Sequence, residues 1–194
     1  LIRAAAFMAV AFARPSTVGA ILPSSRHLAA AMARAAHGAQ RLIELGAGTG
    51  AITQALCEQH PNVPTLAVEM EGELAEHLRQ RFPRVEVRAA AAHEVLRKLR
   101  RPECIALVSS LPFRSLPARL RLRTSLAIER FLIEHPHCRL VQYTYLPRAP
   151  FDLRLRSTLR WRRVATVWRN VPPAWIWELR AEMEPPSSHA LATP

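Results

Sequence analysis

The run Glu44-Leu45-Gly46-Ala47-Gly48-Thr49-Gly50 sets three glycines at alternate positions directly after the apolar stretch RLIEL. Glycine lets a ligand come close to the backbone, and a helix that starts at such a turn offers it unbonded N–H groups. The spacing, E-x-G-x-G-x-G, differs from the G-x-G-x-x-G of dinucleotide sites. A second carboxylate, Glu69, closes the next apolar stretch and is followed by Met70. A third signal lies in CIALVSSLPFRSLP, Cys104 to Pro117. Its apolar run stops at Ser109-Ser110 and is followed by Leu-Pro twice. Proline has no N–H and keeps the preceding residue out of helical geometry. The loop Ser110-Leu111-Pro112-Phe113 therefore presents carbonyls while withholding an amide donor, which suits it to hold a group through that group's own hydrogens.

These residues need elements to aim them. Residues 1–13 read as an apolar helix ended by Arg14-Pro15. PSSRHLAAAMARAAHG reads as a second helix with Ser24 as N-cap, Leu28 and Met32 on one face, and Gly38 at its stop. RLIEL, PTLAVEM, RVEVRAA, CIALVSS and CRLVQYTYL read as five strands, alternating with helices AITQALCEQH, EGELAEHLRQRF, AHEVLRKLR and PARLRLRTSLAIERFLIEH. After a basic piece, APFDLRLRSTLRW, the segments RRVATVWRN and AWIWELRAEM read as a closing hairpin across Val171-Pro172-Pro173. The tail PPSSHALATP is polar and reads as disordered. Alternation of this kind predicts an α/β sheet, parallel through most of its width, with right-handed crossovers and helices on both faces.

The chain of 194 residues is enough for one ordinary domain with a full core. Its net charge of +12 points to a polyanionic partner, nucleic acid or an anionic membrane. Lys98 is the only lysine among 27 basic residues, so an Arg/Ala bias of base composition is the competing cause. Cys57, Cys104 and Cys138 fit no zinc or CxxC spacing, and a scattered odd set fits a reducing compartment, the cytoplasm. The opening apolar run is shorter than the roughly 20 residues that cross a bilayer. It begins at Leu, so the natural N-terminus is an open point.

With Glu69 after the second strand, the ELGAGTG turn resembles the first motif of class I S-adenosylmethionine (SAM) methyltransferases. The set TVGAILPSSRHLAAAMA, IELGAGTGAITQAL, SSLPFRSLP, LVQYTYLPRAPF and WRNVPPAWIWEL, running from about residue 15 to residue 180, resembles the bacterial phospholipid N-methyltransferases of the soluble, membrane-associating type. That resemblance implies a Rossmann-like, seven-stranded, mostly parallel sheet with an antiparallel closing hairpin and added N-terminal helices. It implies methylation of the amine of phosphatidylethanolamine and its methylated derivatives by a cytoplasmic enzyme bound peripherally to the inner face of the membrane. It divides the chain into an N-terminal helical lid (residues 1–38), a methyltransferase domain (39–184) and a tail (185–194).

The resemblance also assigns residues. For the cofactor, SAM, it implies Gly19, Ser24, Glu44 (near the methionine ammonium), Gly46, Ala47, Gly48, Thr49, Gly50, Glu69 (at the ribose hydroxyls), Met70 and Ser109. Ala91 stands where the family usually has an acid for the adenine amine, so Ala91 and Ala92 are expected as backbone contacts only. Ser110, Leu111, Pro112 and Phe113 resemble the Asn-Pro-Pro-Tyr type loop of amine methyltransferases, with Ser for Asn. The Ser110 and Leu111 carbonyls would hold the acceptor nitrogen, and Phe113, Tyr143 and Tyr145 would wall it. Core packing is the competing role for the two tyrosines. The expected partners are a phospholipid headgroup and an anionic membrane surface, reached through the N-terminal region. Ribosomal RNA adenine dimethylases, which carry Asn at the Ser110 position, are the alternative resemblance, with nucleic acid as partner. A catalytically silent SAM-fold binding protein is the third reading. Oligomeric state and the number of methylations are left open.

Overall fold

The computed structural model describes residues 25–99, 103–155 and 157–182. The expected helix over residues 1–13, Gly19, Ser24 and the tail all lie outside them. The elements run α1 (Arg26–Ala35), β1 (Arg41–Leu45), α2 (Ala51–Gln59), β2 (Thr65–Glu69), α3 (Gly72–Arg81) and β3 (Glu86–Ala89). They continue with α4 (Ala92–Lys98), β4 (Ile105–Ser109), α5 (Ala118–Glu134), β5 (Arg139–Thr144), β6 (Leu159–Val167) and β7 (Ala174–Ala181).

The strands form one seven-stranded sheet in the order β3-β2-β1-β4-β5-β7-β6. The first five are parallel, and β7 enters antiparallel between β5 and β6. This is the architecture the alternation predicts. The chain winds outward from β1 to β3, then crosses to β4, so β1 and β4 are neighbours whose connections leave in opposite directions. Open α/β sheets bind ligands in the crevice at such a switch point, beyond the carboxyl ends of the strands.

Inner strands buried on both faces need continuous apolar sequence, which is why IALVS is buried at every position. On one face Ile43, Leu45 and Leu107 pack with Val95 of α4 and Ile128 and Leu132 of α5. On the other, Leu42, Ala106 and Val108 pack with Leu28 and Met32 of α1 and Ile52 and Leu56 of α2, while Ala67 meets Leu78 of α3. Part of the expected lid segment, α1, is thus a core element of this face. Its N-cap is Ser25, whose hydroxyl accepts the Leu28 N–H at 3.3 Å; the cap sits one residue later than the pattern predicts. Both serines are followed by the same apolar period, so the sequence alone does not choose between them. The basic piece after β5 is irregular, and its last residues, Leu159 to Trp161, already belong to β6. Glu129 of α5 explains the irregular run. Its buried carboxylate accepts the N–H groups of Arg154 and Leu155 at 2.9 and 2.8 Å, holding extended backbone that pairs with no strand.

Candidate active site

The glycine turn leaves β1 at the switch point with positive φ at Gly46 (77°), Gly48 (54°) and Gly50 (86°). Each is a conformation L side chains rarely adopt. Two of them also leave no room. A Cβ on Gly46 would lie 2.6 Å from Leu111 Cδ2, and one on Gly50 would lie 2.5 Å from the Phe82 ring. The turn is tied down by its neighbours: Gly46 and Ala47 donate to the Val68 carbonyl at 2.8 and 3.2 Å. Gly48 donates to Glu69 Oε2 at 2.8 Å, and the other oxygen of Glu69 accepts Glu71 N–H at 3.0 Å. Glu69 therefore stands at the mouth of the turn as expected, half-buried at the carboxyl end of β2, with acceptor capacity remaining on both oxygens.

Glu44 lies beneath the turn and is fully buried. One oxygen accepts the Thr53 hydroxyl at 2.6 Å, and the other, Oε1, has no partner among the described residues. Burial pushes its carboxyl up to about 8; the Thr53 hydrogen bond pulls the other way, and the charge of Glu69 adds to the rise. A buried carboxylate with a vacant oxygen is costly unless a cation or donor completes it. The combination fits SAM. The methionine ammonium would satisfy Glu44, the ribose hydroxyls would reach Glu69, and the close-packed glycines let the cofactor lie against backbone. Ala47 is buried, whereas Thr49 and Met70 are exposed at the rim. Ala91 and Ala92 begin α4 at the end of β3, where the Ala90 N–H donates to Glu69 O at 3.0 Å, so their backbone reaches the same edge. Beside them, His93 is buried, and its Nδ1 has no partner among the described residues.

Across the cleft, Ser109 is buried and its hydroxyl accepts the Leu111 N–H at 3.3 Å. The Ser110 N–H donates to Leu45 O at 3.0 Å, locking the loop to the end of β1. The Leu111 carbonyl accepts from Phe113 N–H at 2.9 Å and from Gln142 Nε2 at 3.1 Å. Both of its lone pairs are thereby used, which corrects the expectation that it holds the acceptor. The Pro112 carbonyl is bonded by Ser115 and Leu116. Of the Ser110, Leu111 and Pro112 carbonyls, that of Ser110 alone accepts no donor among the described residues. Phe113 is 2% exposed and its ring lies 4.6 Å from that of Phe151 in the α5-side core, so it supports the loop from beneath instead of walling the acceptor.

Tyr143 and Tyr145 share a face with their rings 5.5 Å apart, edge to face. The β4–β5 register continued by one residue sets Tyr143 level with Ser110, on the Glu44 side of the sheet. Tyr143 is buried and Tyr145 half-buried. Burial pushes the Tyr145 hydroxyl up, and the polar groups of Asn170 and Tyr143 beside it pull the other way. Asn170 is itself buried: its oxygen accepts Ser25 N–H at 3.3 Å and its amide donates to Pro172 O at 2.7 Å. Asn170, Gln142 and Thr53 were not singled out from the sequence. Asn170 and Gln142 stand inside the quoted WRNVPP and QYTY blocks, whose aromatic and proline residues draw attention first.

No family model matches the chain. It is 38% identical over 81 residues to ribosomal RNA small subunit methyltransferase A of Acidobacterium capsulatum, a match covering 39% of this chain and 28% of that protein. The aligned part is thus under a third of the relative's length. Among solved structures it is similar to the 23S rRNA methyltransferase ErmE (TM-score 0.58, 23% identity, 83% of this chain and 70% of that one). It is similar to TrmN from Thermus thermophilus (TM-score 0.64, 16% identity, 84% and 51%). It is also similar to the magnesium protoporphyrin IX methyltransferase ChlM of Synechocystis PCC 6803, solved with bound SAM (TM-score 0.57, 11% identity, 91% of each chain). The chain has the class I SAM methyltransferase fold, and SAM is the cofactor that its glycine cradle fits.

Proposed function

We propose that this chain is a SAM-dependent N-methyltransferase whose acceptor is the amine of a phospholipid headgroup, phosphatidylethanolamine and its methylated derivatives. SAM, when bound, supplies an activated methyl on a sulfonium. The chain's own task is to bring a neutral nitrogen in line with it. An alkylamine with the pKa of a lysine, near ~10, is about 0.1% neutral at pH 7, so a dry site that disfavours the ammonium helps. The Ser110 carbonyl is the acceptor available to orient the nitrogen through its hydrogens. Pro112 sits at the turn of the loop and adds no donor that would compete for that carbonyl. Tyr143 and Tyr145 would offer aromatic faces to the methylated cation, which once fully methylated has no proton to donate.

The observation that carries the lipid reading is that separate blocks of the resemblance meet in space. Ser25 of PSSRH bonds Asn170 of WRNVPP, and Tyr143 and Tyr145 of QYTY pack edge to face, with Asn170 acting on the Tyr145 hydroxyl. Residues 145 positions apart in sequence are thus joined directly.

The second reading is adenine N6 methylation of RNA. The match to ribosomal RNA small subunit methyltransferase A favours it, and taken alone the comparisons lean that way. Ser110 in place of the Asn that those dimethylases carry leans against it. Labelled SAM offered in parallel with phosphatidylethanolamine in mixed vesicles and with ribosomal RNA separates the two. Label in the lipid supports the first reading. Label in RNA alone replaces it with the second, and label in neither, with SAM bound, leaves a silent binding protein.

A further inference from the structure

We infer that the arginine-lined cleft beside the Ser110–Phe113 loop receives the phosphodiester of the acceptor lipid's headgroup while its amine lies at Ser110. The inference rests on the lipid reading above and adds to it a second, separate point of recognition.

The cleft has a volume of about 490 Å³ and is walled by Arg114, Arg121, Arg148 and Arg154, with Asp152 as the single carboxylate. Phe113 forms part of its floor, so it adjoins the loop that carries Ser110. Among the described residues, none of these four arginines has a carboxylate within ion-pair distance. Arg114 donates to Ala149 O at 3.2 Å, which draws the loop carrying Arg148 towards it. Burial, and then the charge of Arg148, push the Arg114 guanidinium below its ordinary value; Asp152 offsets this in part. Cations gathered in this way repel one another until an anion joins them.

A further donor set faces the same space. Helix α5, 17 residues long, begins at Ala118 behind Pro117, with no side chain capping its first N–H groups, and Ala118 lines the cleft. An uncapped helix start together with guanidinium forks matches a phosphate, which accepts bidentate bonds from arginine.

Two features favour a lipid phosphodiester over a nucleic-acid one. Single bases are ordinarily held by stacking on open aromatic faces, yet Phe113 and Phe151 in this cleft are 2% and 8% exposed. Leu122, 40% exposed, instead leaves an apolar edge on the cleft wall. A phosphate joined to its amine by two carbons also spans little more than neighbouring subsites, as the loop and the cleft are.

The test uses the full chain and the Arg121→Gln/Arg148→Gln double variant, with Arg88→Gln, on the far edge strand β3, as the control for lost charge. Calorimetry with SAM present measures binding of soluble sn-glycero-3-phosphoethanolamine, and separately of ethanolamine. The expected result is saturable binding of the phosphodiester but not of ethanolamine. That binding should weaken about tenfold or more in the double variant, as loss of charged hydrogen bonds implies, and stay unchanged in Arg88→Gln. SAM affinity should be the same in all three, which shows that each is folded. In assays with phosphatidylethanolamine in neutral detergent micelles, KM should rise in the double variant. Equal binding of the phosphodiester by the full chain and the double variant, or no binding by either, overturns the assignment. If binding follows the arginines while no lipid is methylated, the phosphate site stands and the lipid reaction falls. If an RNA oligonucleotide is methylated with a KM that rises in the double variant, the cleft serves RNA and the lipid assignment is overturned.

Discussion

At the scale of single residues, Glu44 is the group whose chemistry depends most on its surroundings. A carboxyl raised to about 8 is protonated at neutral pH in the free protein. The folded state therefore binds this proton more tightly than the unfolded chain does. The stability linked to it is fully present below about pH 4.5 and is lost as pH rises through about 8. If an ammonium completes Glu44, SAM binding must expel the proton. SAM affinity should then rise towards pH 8, by up to about tenfold per pH unit below that point. Calorimetry at pH 7 in buffers of different ionisation enthalpy should detect the released proton, and Glu44→Gln should abolish both effects. A buffer-independent binding enthalpy would place the ammonium elsewhere. Gly46 makes a second case. Its φ of 77° and the nearness of Leu111 leave Ala strained, although the Leu111 side chain can give way. Gly46→Ala should cost about 1–2 kcal/mol, or roughly 2–8 °C in Tm, and weaken SAM binding. Thermal scans with and without SAM check both.

At the scale of elements, two loops are held by side chains from neighbouring elements. The Ser110–Phe113 loop is pinned by Gln142 from β5 and by Ser109, and it turns tightly at Pro112, where the Phe113 N–H returns to the Leu111 carbonyl. Pro112→Ala frees the chain and adds a donor. Methyl transfer should fall about tenfold, since a barrier change of roughly 1.4 kcal/mol suffices, while SAM binding through β1 and β2 survives. Unchanged turnover would show that the loop does not position the acceptor. The run after β5 is held by Glu129, whose carboxylate takes two N–H groups in the core. Glu129→Ala leaves those donors unsatisfied, and unfolding in urea should show a loss of about 1.5–3 kcal/mol. Hydrogen exchange should quicken at Arg154 and Leu155 before it does so in β1 or β4.

At the scale of the whole molecule, charge is the property with the longest reach. The net charge of +12 includes exposed Arg160, Arg162 and Arg163 on β6, an edge strand whose cations also discourage pairing with another chain. No helix among the described residues is long and apolar enough to cross a membrane. We propose a peripheral mode of association with an anionic bilayer. Sedimentation with vesicles should show binding that needs anionic lipid and fades as salt shortens the screening length from about 10 Å at 0.1 M. Removing residues 1–13 should weaken it without changing SAM affinity. Binding to neutral and anionic vesicles alike would remove electrostatics from this picture.

What the sequence by itself determined is whatever depends on local pattern. Apolar runs bounded by turn residues specify the strands, the alternation specifies a parallel sheet with a switch point, and the glycine spacing specifies a turn at which a ligand meets backbone. Glu69 was legible because it ends a strand next to that turn. Contacts across long stretches of chain were decided only by the tertiary structure. Thr53 bonds Glu44, Gln142 occupies the Leu111 carbonyl, Asn170 gathers Ser25 and Tyr145, and four arginines from two segments converge on one cleft. No periodicity encodes these pairings. They arise when packing brings distant segments together, and at Glu44 it is the loss of water that makes the carboxyl neutral.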